Sequence, residues 1–219
     1  MTRRIIIVDD HPLFRAALRQ TLAGGGEGEG VTVEEAGDLN ALMAALEADR
    51  DCDLVLLDLN MPGGHGISGL LLLRAQYPEV PVMIISAVED HKVIRRTFDL
   101  GAAGYLPKSV GPAEIRRAID TVLGGGISVP AGMNLDSDDE QSAFIRRLAT
   151  LTPQQIRVLM MLSDGLMNKQ IAYELAISEA TVKAHVSSIL QKLDVDSRTQ
   201  AVIAASKIEQ GQFEALLDG

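Results

Sequence analysis

Short apolar runs alternate with helical patterns through the first 124 residues of the chain. Five runs have the pattern of short strands, and the first of them, 5–8, is apolar and β-branched throughout, as a strand buried on both faces is. Each run is followed by a stretch with apolar residues at helical spacing, and such a series of βα units predicts a parallel sheet with helices on both faces. The predicted strands are 5–8, 31–33, 53–58, 81–86 and 104–106, and the predicted helices are 11–23, 39–49, 66–76, 90–100 and 112–123.

The pattern changes after a run of three glycines at 124–126. Residues 127–142 are rich in turn formers and acidic side chains, as a linker is, and 143–150 have the pattern of a short helix. Residues 151–208 contain no strand pattern and divide into four short helices, two of which open with a capping box. We therefore expect an α/β domain over 1–124, a linker over 125–149, a small all-α domain over 150–208 and a tail over 209–219.

Composition and charge narrow the classes of protein that fit. Apolar residues make up 47% and charged residues 23% of the 219 residues, which is typical of a globular protein. The one cysteine, Cys52, excludes an internal disulfide and a cysteine zinc cage, and no apolar run approaches the ~20 residues of a membrane span, so we expect a cytoplasmic protein without membrane contact. The net charge of −10 excludes a uniformly basic nucleic-acid binder, but residues 151–207 carry six basic and five acidic groups and leave a local contact surface open.

Polar side chains stand where four of the predicted strands end. Asp9 and Asp10 follow the first strand, Asp58 ends the third, Ser86 ends the fourth and Lys108 follows the fifth. In an open parallel sheet, chemistry takes place outside the carboxyl ends of the strands, and the strand order 2-1-3-4-5 would bring these acids together. Three adjacent carboxylates require a compensating cation. The pattern therefore predicts a Mg²⁺ site beside a carboxylate that accepts a phosphoryl group, with the lysine and the serine stabilising the transferred oxygens.

The same motifs resemble the receiver domain of two-component response regulators, which has a flavodoxin-like (βα)5 fold. The resemblance covers about 3–124 and is carried by Asp9-Asp10, Asp58-Leu59-Asn60-Met61-Pro62-Gly63, Ser86-Ala87 and Tyr105-Leu106-Pro107-Lys108. It implies that Asp58 is the phosphoacceptor and that a histidine kinase is the phosphodonor. It further implies that Ser86 and Tyr105 form a conformational switch and that Lys108 pairs with the phosphoryl oxygens. The implied Mg²⁺ ligands are Asp9, Asp10, Asp58 and Asn60, the last through its main-chain carbonyl.

The predicted helix over 179–193 has two distinct faces. Val182, Val186, Ile189 and Leu193 form one apolar stripe, and the opposite face carries small or polar residues that fit a DNA major groove. The angles alone fit equally well an ordinary amphipathic helix with a solvated side. The groove-facing residues would be Ala180, Lys183, Ala184, Ser187 and Gln191.

Residues 150–208 resemble the LuxR-type DNA-binding domain, through motifs that include Asn168-Lys169-Gln170-Ile171-Ala172 and Ile177-Ser178-Glu179-Ala180-Thr181-Val182-Lys183. Together with the receiver, this resemblance implies the NarL/FixJ family, whose members bind double-stranded DNA and form homodimers on activation. The family usually has glycine where Ala176 stands, and alanine there costs about 1–2 kcal/mol if the turn is left-handed. By position, Lys183, Ala184 and Ser187 would face base edges, Asn168, Lys169, Thr181, His185, Lys192 and Arg198 would contact the DNA backbone or support such contacts, and Val202, Ile203 and Ala205 would lie at the dimer interface.

Two other interpretations stay open on the sequence alone. The first is an enzyme, a phosphatase or phosphotransferase that uses Asp58, although the proton donor expected two residues later is Asn60. The second keeps the receiver and makes the helical domain a protein-interaction module. We expect no enzyme activity beyond Mg²⁺-dependent phosphorylation and dephosphorylation of the chain itself. His11, which follows the two acids, is interpreted as the start of the first helix.

Overall fold

The computed structural model describes residues 2–23, 30–61, 66–133, 135 and 140–209. The chain divides into two compact units, Met1–Asp136 and Ser137–Gly219, and the division falls within the expected linker. Among the described helices, none combines the length and the apolar character that crossing a bilayer requires.

The described part of the first unit is built on a five-stranded parallel sheet with helices on its faces. The strands are β1 (Arg3–Val8), β2 (Val31–Ala36), β3 (Leu54–Leu57), β4 (Val82–Ser86) and β5 (Gly104–Pro107), and the helices are α1 (Pro12–Ala23), α2 (Leu39–Ala48), α3 (Gly66–Gln76), α4 (His91–Asp99) and α5 (Pro112–Leu123). The strand order is β2-β1-β3-β4-β5, which confirms the predicted α/β fold and its topology.

The central strands are apolar along their whole length because helices cover both faces of the sheet. Every residue of β3 and β4 is buried, and so are the last four residues of β1. The edge strand β2 is more exposed and includes Thr32 and two adjacent glutamates, Glu34 and Glu35. All strands run in one direction, so their carboxyl ends meet at one edge of the sheet, and Val8 of β1 pairs with Leu57 of β3 at that edge.

The chain that follows α5 returns to the sheet. Gly104 of β5 forms an isolated parallel bridge with Ser128, whose N–H donates to the Ala103 carbonyl and whose carbonyl accepts from the Tyr105 N–H at 3.0 Å each. A Cβ on Gly104 would lie 2.7 Å from the Met83 side chain and 3.2 Å from Cβ of Ser128, so the glycine permits this close approach. The first part of the expected linker therefore covers the outer edge of β5.

The described part of the second unit is all-α, as predicted. Its described helices are α6 (Glu140–Leu148), α7 (Pro153–Ser163), α8 (Asn168–Glu174), α9 (Glu179–Leu193) and α10 (Arg198–Glu209). The predicted capping box opens α7, since the Thr152 side chain accepts from the Gln155 N–H and the Gln155 side chain accepts from the Thr152 N–H.

Helix α6 belongs to the helical unit rather than to a free linker. Its Phe144, Ile145 and Leu148 are buried, and Arg147 reaches the end of α9. The Arg147 guanidinium donates to the Leu193 carbonyl at 3.3 Å and lies 3.2 Å from the Asp194 carboxylate. The predicted helix over 143–150 thus starts and ends earlier than expected and packs on its neighbour.

The turn between α8 and α9 is closed by a left-handed residue. Ala176 has a φ of 52°, and its N–H donates to the Tyr173 carbonyl while that of Ile177 donates to the Ala172 carbonyl. These two bonds are those of a Schellman motif, in which glycine is the usual left-handed residue. The turn is thus left-handed at position 176, where the Cβ of alanine is crowded by the backbone.

Candidate functional site

The carboxylates predicted to converge do so at the carboxyl end of the sheet. Because β1 and β3 are neighbours in register, the residues after Val8 and Leu57 lie side by side. One ligand atom from each of Asp9, Asp10, His11 and Asp58 lies within 4.8 Å of the others. Asp9 and Asp58 are buried, with 2% of each residue exposed.

Lys108 places its ammonium group against two of these acids. Its Nζ donates to Asp58 Oδ2 at 2.8 Å and lies 2.7 Å from Asp9 Oδ2, an ion pair without the angle of a hydrogen bond. Partial burial alone would lower the pKa of Lys108, but the two carboxylates outweigh it and raise the pKa above its ordinary value. The ammonium also lies 4.7 Å from the centre of the Phe14 ring, a cation–π distance.

The Asp58 carboxylate is held by the loop that follows it. Its Oδ1 accepts from the Asn60 N–H at 3.1 Å, and its own N–H donates to the Val8 carbonyl at 2.9 Å. The Asn60 residue itself is exposed. These hydrogen bonds and the ion pair of Oδ2 with Lys108 hold the buried Asp58 carboxylate in one orientation and pair its negative charge. A carboxylate held in this way is suited to act as a nucleophile.

The acidic residues fit a hard divalent cation. Asp9 Oδ2 and Asp10 Oδ1 are buried, and among the described residues neither accepts a hydrogen bond. Buried carboxylate oxygens without a hydrogen bond are costly unless a cation satisfies them. Lys108 Nζ supplies one such charge at Asp9 Oδ2, whereas Asp10 Oδ1 faces the His11 ring. Oxygen ligands contributed by a few carboxylates are the set that Mg²⁺ takes in proteins.

The proposed switch residues lie next to this cluster. Ser86 is fully buried at the end of β4, its Oγ accepts from the Val88 N–H at 3.3 Å, and its carbonyl accepts from the Lys108 N–H at 2.8 Å. The Tyr105 ring is buried, and its hydroxyl donates to the Val88 carbonyl at 2.6 Å. Both side chains therefore contact the same loop after β4.

His11 is the residue at this site that the sequence interpretation undervalued. It precedes α1, and its carbonyl accepts the first bonds of that helix, which agrees with a role at the helix start. Its ring, however, turns toward the acids, with Nδ1 2.8 Å from Asp10 Oδ1 and 3.2 Å from Asp9 Oδ1. The signal available in the sequence was its position directly after two adjacent carboxylates.

The helical unit exposes the predicted recognition face of α9. Val182, Ile189 and Leu193 are buried, which confirms the core-facing stripe at those positions. Ser178 caps the helix by accepting from the Thr181 N–H at 3.0 Å. Small or polar side chains form the outward face, which consists of Ala180, Thr181, Lys183, Ala184, Ser187 and Gln191.

Several residues expected to contact the DNA backbone, or to support such contacts, make hydrogen bonds within the unit. Lys192 donates to the Thr150 carbonyl at 2.8 Å and to Gln155 Oε1 at 2.9 Å. Arg198 donates to Asn168 Oδ1 and to the Leu166 carbonyl, which ties α10 to the start of α8. These residues are placed to support a surface rather than to form it. Of the others, Lys169 and Ile203 are exposed, His185 and Val202 are half-buried, and Ala205 is buried.

Comparison with known proteins agrees with this architecture. Residues 5–120 match the model of the response regulator receiver domain, and residues 149–205 match that of bacterial regulatory proteins of the luxR family. The "Glycerol metabolism activator" of Pseudomonas putida is 40% identical over 214 residues, which cover 94% of this chain and 96% of that protein. The "Nitrate/nitrite response regulator protein NarP" of Escherichia coli K12 is 37% identical over 202 residues, which cover 91% of this chain and 93% of the relative.

A solved structure is similar as well. The crystal structure of a LuxR family DNA-binding response regulator from Silicibacter pomeroyi superposes with a TM-score of 0.52 at 36% identity, covering 59% of this chain and 98% of that one. The matched families together account for both units of the chain. The chain therefore belongs to the two-component response-regulator family, as a phosphorylation-dependent transcriptional regulator with a receiver domain and a LuxR-type helix-turn-helix domain.

Proposed function

We propose that Asp58 of this response regulator accepts a phosphoryl group from a histidine kinase and that this event controls how the helical unit binds double-stranded DNA. The observation that carries the proposal is the convergence of Asp9, Asp10, Asp58 and Lys108 at one end of the sheet. A buried carboxylate between a cation site and a fixed ammonium is suited to phosphoryl transfer, because catalysis of that reaction consists mainly of positioning and charge neutralisation.

The chemistry follows from the atoms that face each other. An Asp58 carboxylate oxygen attacks the phosphorus of the donor's phosphohistidine; the new P–O bond forms as the P–N bond breaks, and its electron pair stays on the imidazole. Lys108 Nζ, 2.8 Å from Asp58 Oδ2, is placed to neutralise the transferred oxygens. Asp9, Asp10, Asp58 and the main-chain carbonyl of Asn60 would hold Mg²⁺, which supplies charge stabilisation for the phosphoryl group when bound.

Ser86 and Tyr105 are the proposed relay from this site to the surface. The Ser86 hydroxyl would move to donate a hydrogen bond to a phosphoryl oxygen. Tyr105 would then turn into the space that Ser86 vacates beside the loop after β4. The N–H of Tyr105 bonds to Ser128, in the segment that leads out of the receiver. A conformational change at β5 would therefore displace Ser128, which lies in the first part of the linker between the two units.

The outward face of α9 is the proposed DNA-reading surface. Lys183, Ala184 and Ser187 are exposed on it and would approach base edges, while Lys169 and Thr181 would contact phosphates. Asn168, Lys192 and Arg198 hold the helices in place. Half-buried His185 lies at the flank of this face. We assign the homodimer contact to α10, where Ile203 is 40% exposed and Val202 is half-buried.

A separate phosphatase or phosphotransferase activity is the less favoured alternative. It would require a proton donor near Asp58, and the residue two positions on is Asn60, whose amide cannot serve as a general acid. We therefore restrict catalysis to phosphorylation and dephosphorylation of the chain itself.

The test is labelling of the full chain with acetyl phosphate and Mg²⁺. Wild type should gain one hydroxylamine-sensitive phosphoryl group, and D58N should gain none because an amide oxygen is not nucleophilic enough to form the acyl phosphate. D120N, which alters an exposed carboxylate on α5, serves as the matched control and should label as wild type does. Stoichiometric labelling of D58N, or continuous turnover of acetyl phosphate without a labelled protein, would contradict the assignment.

A further inference from the structure

We propose that His11 contributes an imidazole nitrogen to the metal site, which makes the site more selective for nitrogen-preferring divalent ions than an all-oxygen set would be. The inference rests on the metal site of the proposed function and concerns a residue that this function does not use. The observation that points to it is the direction of the His11 ring, whose Nδ1 faces the two metal-site carboxylates although 65% of the side chain is exposed.

The distances place the nitrogen within reach of the same ion as the acids. Nδ1 is 2.8 Å from Asp10 Oδ1 and 3.2 Å from Asp9 Oδ1. The backbone N–H of His11 also donates to Asp9 Oδ1 at 2.7 Å, which ties the position of the residue to that of the carboxylate. The four ligand atoms span at most 4.8 Å. Opposite ligands of an octahedral ion with bonds of ~2.1 Å are ~4.2 Å apart, so a small contraction brings the set around one ion.

A role as a hydrogen-bond donor alone does not account for the whole cluster. Asp10 Oδ1 lies nearest to the ring and Asp9 Oδ2 beside Lys108, yet both are buried without an accepted hydrogen bond among the described residues. Lys108 supplies a positive charge at Asp9 Oδ2, whereas Asp10 Oδ1 faces the His11 ring, and a metal ion that reaches both carboxylates also reaches Nδ1. The neutral ring would then carry its proton on Nε2 and present the Nδ1 lone pair to the ion.

Nitrogen ligation has a consequence for ion choice. Imidazole is a good ligand for Ni²⁺ and Zn²⁺ and a poor one for Mg²⁺, which prefers carboxylate, carbonyl and water. With His11 present, the ratio of the affinities for Ni²⁺ and Mg²⁺ should therefore exceed the ratio for a site made of the carboxylates alone. The exposed ring has room to turn onto the ion without a change in the fold.

The experiment compares the full-length wild type with H11N and H11Q. The dissociation constants for Ni²⁺ and Mg²⁺ are measured by calorimetry, and the Mn²⁺ complex is examined by electron spin-echo modulation, which detects a coordinated ¹⁴N nucleus. We expect both variants to bind Ni²⁺ about tenfold more weakly, to bind Mg²⁺ within about twofold of wild type, and to lose the imidazole ¹⁴N signal. H91N, which alters an exposed histidine at the start of α4, is the control and should keep that signal.

Each outcome bears on a different claim. Unchanged ion selectivity and a ¹⁴N signal that survives in H11N would overturn the role of His11, while normal acetyl phosphate labelling of the same samples would leave the proposed function intact. A wild-type chain that binds neither ion and takes no label at Asp58 would overturn the proposed function itself. Because H11N and H11Q differ in length, agreement between them also separates ligation from a local packing defect.

Discussion

The Tyr105 hydroxyl is a buried polar group with one well-placed partner. Its ring is 1% exposed, and its hydroxyl donates to the Val88 carbonyl at 2.6 Å. Burial raises the pKa of Tyr105 to about 12, because the phenolate would lose hydration that a hydrogen bond with Ser86 replaces only in part. The neutral, hydrogen-bonded form therefore stabilises the inward position of the ring.

The raised pKa of Tyr105 predicts a specific loss of stability in alkali. An unfolded tyrosine ionises near pH 10, so between there and about pH 12 the folded chain holds a proton that the unfolded chain releases. The contribution is fully present below about pH 10 and declines as the pH rises. Urea unfolding across this range should show a steeper decline in the free energy of unfolding for wild type than for Y105F. Y173F, which alters an exposed tyrosine, should follow wild type, and equal slopes for all three would refute the prediction.

Individual residues differ in how far the sequence could predict them. Asp9, Asp58 and Lys108 were predictable as a cluster, since each directly follows or ends a strand and parallel strands end at one edge. The hydrogen bond of Tyr105 to Val88 and the contact of His11 with two acids were not, because side-chain torsions leave no trace in the periodicity of the chain. The hydrogen bond from Lys192 to the Thr150 carbonyl could not be predicted either, because it depends on how segments distant in sequence pack together.

Elements with strong local signals were predicted well. The β-branched runs and the capping box at Thr152 fixed the strands and the start of α7 through interactions within a few residues. The bridge between Ser128 and β5 was not foreseen, since a single residue pair at a sheet edge needs no alternating pattern. Helix α6 was expected in a linker because its apolar face meets α9 only in the folded unit.

The turn between α8 and α9 predicts a stabilising substitution. Ala176 has a φ of 52° and is exposed, so A176G would remove the Cβ strain without losing a buried contact. We expect the helical unit to gain about 0.5–1 kcal/mol, because relief of the left-handed strain exceeds the extra entropy of glycine in the unfolded chain. Thermal and urea unfolding followed by helical circular dichroism will measure it. A184G, placed inside α9, is the control and should lose about 1 kcal/mol; a loss of similar size in A176G would contradict the strain.

Across the whole molecule, the negative charge lies mainly outside the DNA-binding unit. The chain carries a net charge of −10, yet residues 151–207 hold six basic and five acidic groups. A nearly neutral DNA-binding unit on an acidic protein contacts few phosphates, so its affinity should depend weakly on salt and more on base contacts. This distribution supports the proposed homodimer, in which two copies would bind adjacent half-sites.

That division of charge leads to a prediction about two lysines of the helical unit. Lys183 lies on the outward face of α9, where its Nζ is 3.1 Å from Glu179, and Lys169 is exposed at the start of α8. If Lys183 reads bases, K183A should weaken binding to a duplex selected from a random pool by about 1–3 kcal/mol, with little change for unrelated duplexes. If Lys169 contacts a phosphate, K169A should weaken all duplexes alike and reduce the slope of log K against log salt by about 0.9 per subunit. Fluorescence anisotropy at several salt concentrations measures the binding free energy and the salt slope. If K183A instead weakens binding to all duplexes alike and reduces the slope, Lys183 contacts the DNA backbone and α9 does not enter the groove as proposed.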